Sequence, residues 1–545
     1  MNSTPLNILL DNMDQSFRSR PNTSYMLNYL IESDASASSS HWFHESTASV
    51  LSLEIVDLYE SITSSEFLYQ VLMRSETAIV NLLRGNLSLL CNKTQSGQTS
   101  FHLAIGWPKG LAILMGNSWE TTQSIINIED RDGFTALEYA ILQRDTDSVC
   151  LLLEFGAGIP DTTFHYINHF PVLNAPPANW ARKEQIMSVI VANLAVQRRK
   201  LLDIALLSLG AEDIDRLKLR QGLPDHQAFT IAEMLRQQRI QLPAFCNMLE
   251  QGSVYHWPGI DHIWAQKLFD IGFDPANTDV CGYTPLMICY YGSSGIISSL
   301  NLVAWFEEHG VDIYASIPLP KGYITAPGTE QMTSGHSTVQ MVSYEMGCSI
   351  SPNRVCPDLT GGHISLFSRL SMDKSTDPCL CYCTQGGCTF ISKYARGLSH
   401  EYPRGNFERV LEGIKLAEKA IGGDKHGEIL GIIRVLTFET LQMRHTCCTY
   451  VTCWSLKKAL EDGILDLMDP AEIKEIREED RYLAQRLEGL MEEFKTKLQG
   501  TKMPLSDFMK RYWWPRMCEV EKERDELSLS DLQKIREIGV ILDKS

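Results

Sequence analysis

The chain of 545 residues is short of positive charge: 49 Lys and Arg stand against 67 Asp and Glu, for a net charge of −18. Binding to nucleic acid without regard to sequence needs a positive field at the phosphates, so this balance excludes it; adhesion to an anionic membrane surface falls on the same ground. Arg198-Arg-Lys200 is the one short basic strip and reads as a helix surface. Long apolar runs are also lacking. No stretch approaches the ~20 apolar residues that span a bilayer. The opening Met1-Asn-Ser-Thr-Pro-Leu-Asn-Ile-Leu-Leu10 has no basic start, and its apolar run is broken by Asp11, unlike a secretory signal. The expectation is an intracellular protein, cytoplasmic or nuclear, with no membrane span and no nucleic-acid partner.

Familiar catalytic signatures are absent as well. The chain has no Gly-x-x-x-x-Gly-Lys-Ser/Thr phosphate loop, no Gly-x-Ser-x-Gly elbow, no His-Glu-x-x-His and no His-x-Glu with Cys-x-x-Cys. No paired-carboxylate motif stands out. Catalytic and cofactor-binding residues are therefore not assigned. What remains is an ordinary globular composition, 44% hydrophobic and 21% charged, long enough for two to four domains.

One short phrase occurs three times. Gly97-Gln-Thr-Ser-Phe-His-Leu-Ala104 and Gly133-Phe-Thr-Ala-Leu-Glu-Tyr-Ala140 share its glycine and threonine, and Gly282-Tyr-Thr-Pro-Leu-Met-Ile288 repeats it. The glycine suits a turn with positive φ. Thr135 can cap a helix by accepting a backbone N–H. Leu137, Ala140 and Ile141 then fall on one helical face. Val149, Leu151, Leu152 and Leu153 form a second helix, which Gly156 ends as a left-handed cap.

These segments resemble ankyrin repeats, with Thr99-Ser-Phe-His-Leu-Ala and Thr284-Pro-Leu-Met standing for the Thr-Pro-Leu-His opening. The ankyrin period is about 33 residues. Thr99 to Thr135 spans 36, which places a small insertion around Trp107-Pro-Lys-Gly110. In the third copy an insertion falls at Gly292-Ser-Ser-Gly295. Asp261 to Phe273 reads as the second helix of another unit, and Asn277-Thr-Asp279 as an exposed finger. The resemblance implies a helical solenoid whose surface holds another protein, with residues near Asp130 to Asp132 and Asn277 to Asp279 on that surface.

The expected fold is mainly α: an ankyrin-type helical solenoid followed by an α-helical, Cys-rich C-terminal domain. Residues 1–45, with a serine-rich run from Ser33 to Ser40, read as a poorly ordered N-terminus. Residues 46–160 read as an N-terminal cap and repeats, and 251–316 as further repeats. Residues 161–250 are either a helical insertion or degenerate repeats, with helices near Asn179 to Leu206 and over Ala228 to Gln237. Residues 317–400 read as a loop-rich, Cys-containing region, with Ile317 to Ser351 irregular. Residues 401–545 are the C-terminal helical domain: Phe407 to Ile421, Ile429 to Leu441, and a long helix opened by Pro470. Phe508, Tyr512, Trp513, Trp514 and Met517 are read as core.

Fifteen cysteines in a reducing compartment are not expected to form structural disulfides. Cys150 and Cys289 read as buried thiols in repeat helices. Cys379-Leu-Cys-Tyr-Cys-Thr-Gln-Gly-Gly-Cys388 is different, with four cysteines in ten residues, and His445-Thr-Cys-Cys448 adds three more soft donors. Zinc favours thiolate and imidazole ligands in a tetrahedron. Gly386-Gly387 would let the loop fold back. The candidate metal ligands are Cys379, Cys381, Cys383, Cys388, His445, Cys447 and Cys448, with Cys348, Cys356, His363 and Cys453 as weaker additions. Three readings stay open: a structural zinc clip, inert buried thiols, or reversible redox chemistry.

Asp377-Pro-Cys-Leu-Cys-Tyr-Cys-x4-Cys388, Val435-Leu-Thr-Phe-Glu-Thr-Leu441 and His445-Thr-Cys-Cys448 resemble a group of ankyrin proteins common in filamentous fungi. The resemblance takes in about half of the chain and carries no catalytic residue with it. It implies a non-catalytic scaffold or accessory protein for an unidentified protein partner, associated with a secondary-metabolite pathway in some members. The rival expectation is a zinc-dependent or redox-active enzyme built on the Cys379–Cys388 loop and His445–Cys448.

Overall fold

The protein is described from a computed structural model over residues 65–169, 178–275, 282–289, 296–318, 336–350, 359–399, 407–421, 426–450, 460–500 and 503–525. These residues are mainly helical. One two-stranded antiparallel ladder joins Thr449–Tyr450 to Leu465–Asp466. The chain divides into two compact units, one within residues 1–278 and 454–457 and the other within 279–453 and 458–545. The segment 251–316 contains that division. The serine-rich run, the Asn277–Asp279 finger, the Gly292–Gly295 insertion, Cys356 and Cys453 lie outside the described residues.

The first unit is built from short helix pairs with recurring local geometry. Glu66–Leu72 and Glu76–Gly85 form one hairpin and bury Phe67, Leu68, Val71, Leu72, Ile79 and Leu83. Ala136–Leu142 and Thr146–Glu154 form another. The turn between paired helices needs one left-handed residue, found at Arg74, Gly106 and Arg144 with φ of 52°, 83° and 56°. At Arg74 and Arg144 the next amide reaches back to the last helical turn, Ser75 to the Gln70 carbonyl and Asp145 to that of Ala140.

The turn that opens a unit also occurs twice. The Thr94 N–H donates to the Gln98 carbonyl and Gly97 N–H to that of Thr94; Asp130, Phe134 and Gly133 repeat this. Gly97 and Gly133 have φ of 84° and 83°. The Arg131 N–H donates to the Ser96 carbonyl, so one turn is fixed to the next. Thr99 and Thr135 each form a reciprocal capping box, with His102 and Glu138.

Two details depart from expectation. After Thr99 come three helices, Ser100–Leu103, Pro108–Gly116 and Trp119–Ile125. Thr99 to Pro108 is shorter than Thr135 to Thr146, so the surplus residues lie after Gly116 and not at Trp107–Gly110. Pro108 itself opens the second helix. Cys150 is exposed, not buried: Val149, Leu152 and Leu153 turn inward, and it occupies the opposite face. The side chain of Cys289 lies outside the described residues.

Beyond Thr163–His169, residues 178–208 form one helix of 31 residues, which packs against the Thr146–Glu154 and Ala228–Gln237 helices. Leu201, Ala205, Ile231, Ala232, Leu235 and Phe245 share a core there. Arg198 is turned in and pairs with Asp225, while Arg199 and Lys200 face solvent. Asp261 caps His262–Asp270 by accepting two backbone N–H groups, and Gly272 follows with φ of 99°.

In the second unit Pro285–Cys289 and Ile296–Glu308 lie between Gly282 and Gly310, both with positive φ. The expected irregular segment 317–351 instead contains the helix Thr338–Cys348, boxed at its start by Ser337 and Gln340. Eight of its residues are buried, Thr338, Gln340 and Ser343 among them. A helix enclosed on most sides shows no polar face, which is why no helical period is seen in its sequence. It packs closely on Phe390–Ser399. A Cβ placed on Gly397 would stand 2.0 Å from the Tyr344 carbonyl oxygen, and one on Gly347 2.3 Å from that of Tyr394. The two backbones meet at this glycine pair.

Phe407–Ile421 and His426–Thr440 complete the centre of this unit. The helix opened by Pro470 ends at Glu479, and a second runs over Arg481–Gln499. At the break the Asp480 carboxylate receives the Arg444 N–H. Phe508, Trp513 and Met517 are core, and Tyr512 is exposed.

Candidate metal centre

The Cys379–Cys388 loop is closed by its own preceding residue. Asp377 Oδ1 accepts the N–H of Cys388 at 2.6 Å and of Cys379 at 3.2 Å. The Asp377 N–H donates to the Cys388 carbonyl. Gly387, with φ of 93°, lies so close that a Cβ would fall 1.9 Å from the Asp377 carbonyl oxygen. The fold-back expected of Gly386-Gly387 is therefore set by a contact only glycine can make.

The second strip arrives from the end of the His426–Thr440 helix through Gln442, which takes a left-handed φ of 57°. Thr446 Oγ1 donates to the Leu380 carbonyl, and the Cys448 N–H points to Cys379 Sγ at 3.2 Å. Thr449–Tyr450 then enters the small ladder. A third strand of chain brings His336. Its carbonyl accepts the Ile317 N–H, and Ser337 starts the next helix.

Six of the seven candidate ligands fall into two sets. The first is Cys381, Cys383, His445 and Cys447, whose donor atoms lie within 4.8 Å of one another. His445 Nδ1 stands 3.7 Å from both Cys381 Sγ and Cys447 Sγ. Cys383 Sγ and Cys447 Sγ are 3.3 Å apart. Zinc–sulfur arms of ~2.3 Å give a tetrahedral edge of roughly 3.8 Å, and a sulfur–nitrogen edge of roughly 3.6 Å. The second set is His336, Asp377, Cys379 and Cys448. Cys388 belongs to neither, but its Sγ is 3.4 Å from Cys447 Sγ and its thiol meets those of Cys379 and Cys383. Either set can hold a metal ion.

His336 and Asp377 were not on the candidate list. Asp377 stands two residues before the first cysteine and reads as part of a turn; His336 is separated from the strip by more than forty residues. Of the weaker additions, His363 caps its own helix and faces Asn301, while Cys348 offers its carbonyl to Arg409. Both stand outside the two sets.

The surroundings prepare the site for anionic sulfur. Glu439 Oε1 accepts His445 Nε2–H at 2.6 Å, which leaves the Nδ1 lone pair facing the sulfurs. Burial disfavours the imidazolium, but hydrogen bonds to Cys381 and Glu439 outweigh it and raise the His445 pKa. Lys393 is 0% exposed, with Nζ 3.1 Å from Cys448 Sγ and 3.2 Å from Asp377 Oδ2. Burial opposes its charge; Tyr450, Cys388, Cys448 and Asp377 together hold it protonated. Arg396 donates to the Cys448 carbonyl at 3.0 Å. The thiols share protons unequally. Cys381 is held below the ordinary thiol range by Cys383 and Cys447, while Cys379 is pushed above it by Cys388, Cys447 and Cys448.

No family model matches the chain, and no curated protein matches it. The chemistry of the site rests on these donors. Carboxylate, imidazole and metal in line is a common support for a ligating histidine, fixing its tautomer and ring direction. Among the described residues no helix is long and apolar enough to cross a membrane.

Proposed function

We propose that the chain is a non-catalytic interaction scaffold: ankyrin-type repeats offer a surface to a protein partner, and a structural zinc ion clips the second unit. The observation that carries the scaffold reading is the recurrence of one construction, with its glycine turn, boxed threonine and left-handed helix junction, at successive places in the first unit. His102 supports it, since its Nε2–H donates at 3.0 Å to the Phe134 carbonyl of the next unit. Repeats joined in this way leave their turns and inner helices as one extended surface.

Within the Asp130–Asp132 finger the roles divide. Asp130 is buried, accepting the Asp132 and Phe134 N–H groups and the Tyr139 hydroxyl, and so shapes the turn. Arg131 and Asp132 are exposed and belong to the contact surface. For zinc, the supporting observation is that Cys381, Cys383, His445 and Cys447 supply four donors, the full complement of a closed structural site. A catalytic ion would need a vacant position.

The test uses the full chain. Partners captured by the wild type are compared with those captured by an Arg131→Glu, Asp132→Lys variant of unchanged circular dichroism, and zinc is measured in both. Loss of partners in the variant, with at least one zinc per chain in each protein, is expected. Unchanged partners would sink the proposed surface, and a zinc-free protein the clip.

A further inference from the structure

The buried donors outnumber the needs of one tetrahedral ion. We infer that the centre is binuclear, with a second zinc-class divalent cation held by His336, Asp377, Cys379 and Cys448; the inference rests on reading the first set as a zinc site. His336 Nδ1 lies 3.2 Å from Cys448 Sγ and 3.7 Å from Asp377 Oδ2, and Cys448 Sγ lies 3.8 Å from the same oxygen. Cys379 Sγ completes the group, with all four donor atoms within 4.8 Å of one another. These are the edges of a tetrahedron with arms of roughly 2.0–2.3 Å.

Charge balance favours the second ion independently. With their ligands ionised, Cys379, Cys448 and Asp377 carry three negative charges. A divalent cation and the ammonium of Lys393, which touches both Asp377 and Cys448, carry three positive ones. The second group is then neutral. A desolvated site demands that, because an uncompensated buried charge is costly.

The sets are also positioned by different pieces of chain. Only the second depends on His336, held by the short bridge between Ser316 and Ser337. The cysteine strips alternate between them: Cys379 and Cys448 belong to one, Cys381, Cys383 and Cys447 to the other. Cys388, in contact with Cys379 on one side and Cys383 and Cys447 on the other, fills the wall between. Donor chemistry differs as well. The first set offers three sulfurs and one nitrogen, the second two sulfurs, one nitrogen and one oxygen.

The experiment is metal counting on the full chain, followed by cobalt substitution. The wild type is expected to hold two zinc ions per chain, and His336→Ala one. Cobalt should show two ligand-field envelopes in the wild type, with the one of lower sulfur content missing in His336→Ala. If that variant does not fold, His336→Cys keeps four donors; it should bind two ions and shift only the second envelope toward higher sulfur content. One ion in the wild type, unaltered by His336→Ala, overturns the second site and leaves the first standing. A cobalt spectrum unchanged in His336→Cys also overturns it. No bound metal in the wild type overturns both.

Discussion

Acid should loosen the first unit through a single imidazole. His102 is 1% exposed. The Thr99 N–H donates to its Nδ1 at 3.1 Å, and its Nε2–H donates to the Phe134 carbonyl at 3.0 Å. Both ring nitrogens are thus committed to the neutral form. Protonation at Nδ1 would point a donor at the Thr99 N–H, in a buried place. Burial accordingly lowers the pKa from 6.5 to about 4, against the upward pull of the Phe134 carbonyl and Asp130. The folded pKa lies below the unfolded one, so the contribution is complete above pH 6.5 and is lost as pH falls through about 4. The full difference corresponds to about 3 kcal/mol, of which about 2 kcal/mol is gone by pH 5. The perturbation is His102→Gln, which keeps an acceptor for the Thr99 N–H in a Thr-x-x-Gln box but does not titrate. At neutral pH the variant should be less stable by about 1 kcal/mol, for the lost bond to Phe134. Urea unfolding followed by hydrogen exchange of residues 97–156 should show that deficit shrink and reverse between pH 7.5 and 4.5. A gap between the two proteins that stays constant over that range would refute the reasoning.

Four further outcomes are expected. Glu439→Gln leaves His445 in place but weakens its orientation, and zinc affinity measured by chelator competition should fall about 10- to 100-fold. Gly397→Ala forces a Cβ to 2.0 Å from the Tyr344 carbonyl and should cost the second unit about 1–3 kcal/mol or more in urea unfolding. Gly431→Ala is its control: the site is open and helical, so the same measurement should show a gain of about 0.5–1 kcal/mol. Lys393→Met removes the buried partner of Asp377 and should lower the thermal midpoint of the second unit by the equivalent of about 3–5 kcal/mol, as for any broken buried pair.

What could be read from the sequence was whatever is written locally. The turn glycines at 97 and 133, the capping threonines at 99 and 135 and the terminating Gly156 each act within a few residues, and each takes the conformation its type suggests. Ala228–Gln237 and Phe407–Ile421 have clear polar faces, and their limits matched the amphipathic pattern. The helix Thr338–Cys348 did not, because burial on most sides erases the contrast that pattern depends on. The metal centre divides in the same way. Two dense cysteine strips declare themselves, and they do meet. His336 does not declare itself, since nothing in Gly335-His336-Ser337 signals that a bridge to Ser316 will carry it to Cys448. Asp377 was visible beside the first strip, but its partners, Cys379, Cys388 and Lys393 among them, are assembled by the fold. Cys150 shows the converse error: thiols are commonly buried, but this one lies opposite the apolar face of its helix.

The separation of the cysteine strips along the chain has a consequence for biosynthesis. His336 meets Cys448 across 112 residues, and Cys381 meets His445 across 64. While the ribosome is still translating that interval, the early thiols have no partners and the Thr338–Cys348 helix lacks much of the material that will enclose it. In the first unit the turn and cap bonds around Thr99 and Thr135 join chain neighbours, and those parts can settle as they emerge. The second must wait for its last ligands, and loops that long close slowly. During that delay four sulfurs, those of Cys379, Cys381, Cys383 and Cys388, would be open to oxidants and to competing ions, so on the proposed zinc reading the yield of correctly assembled protein should depend on zinc supplied during synthesis and not only afterwards.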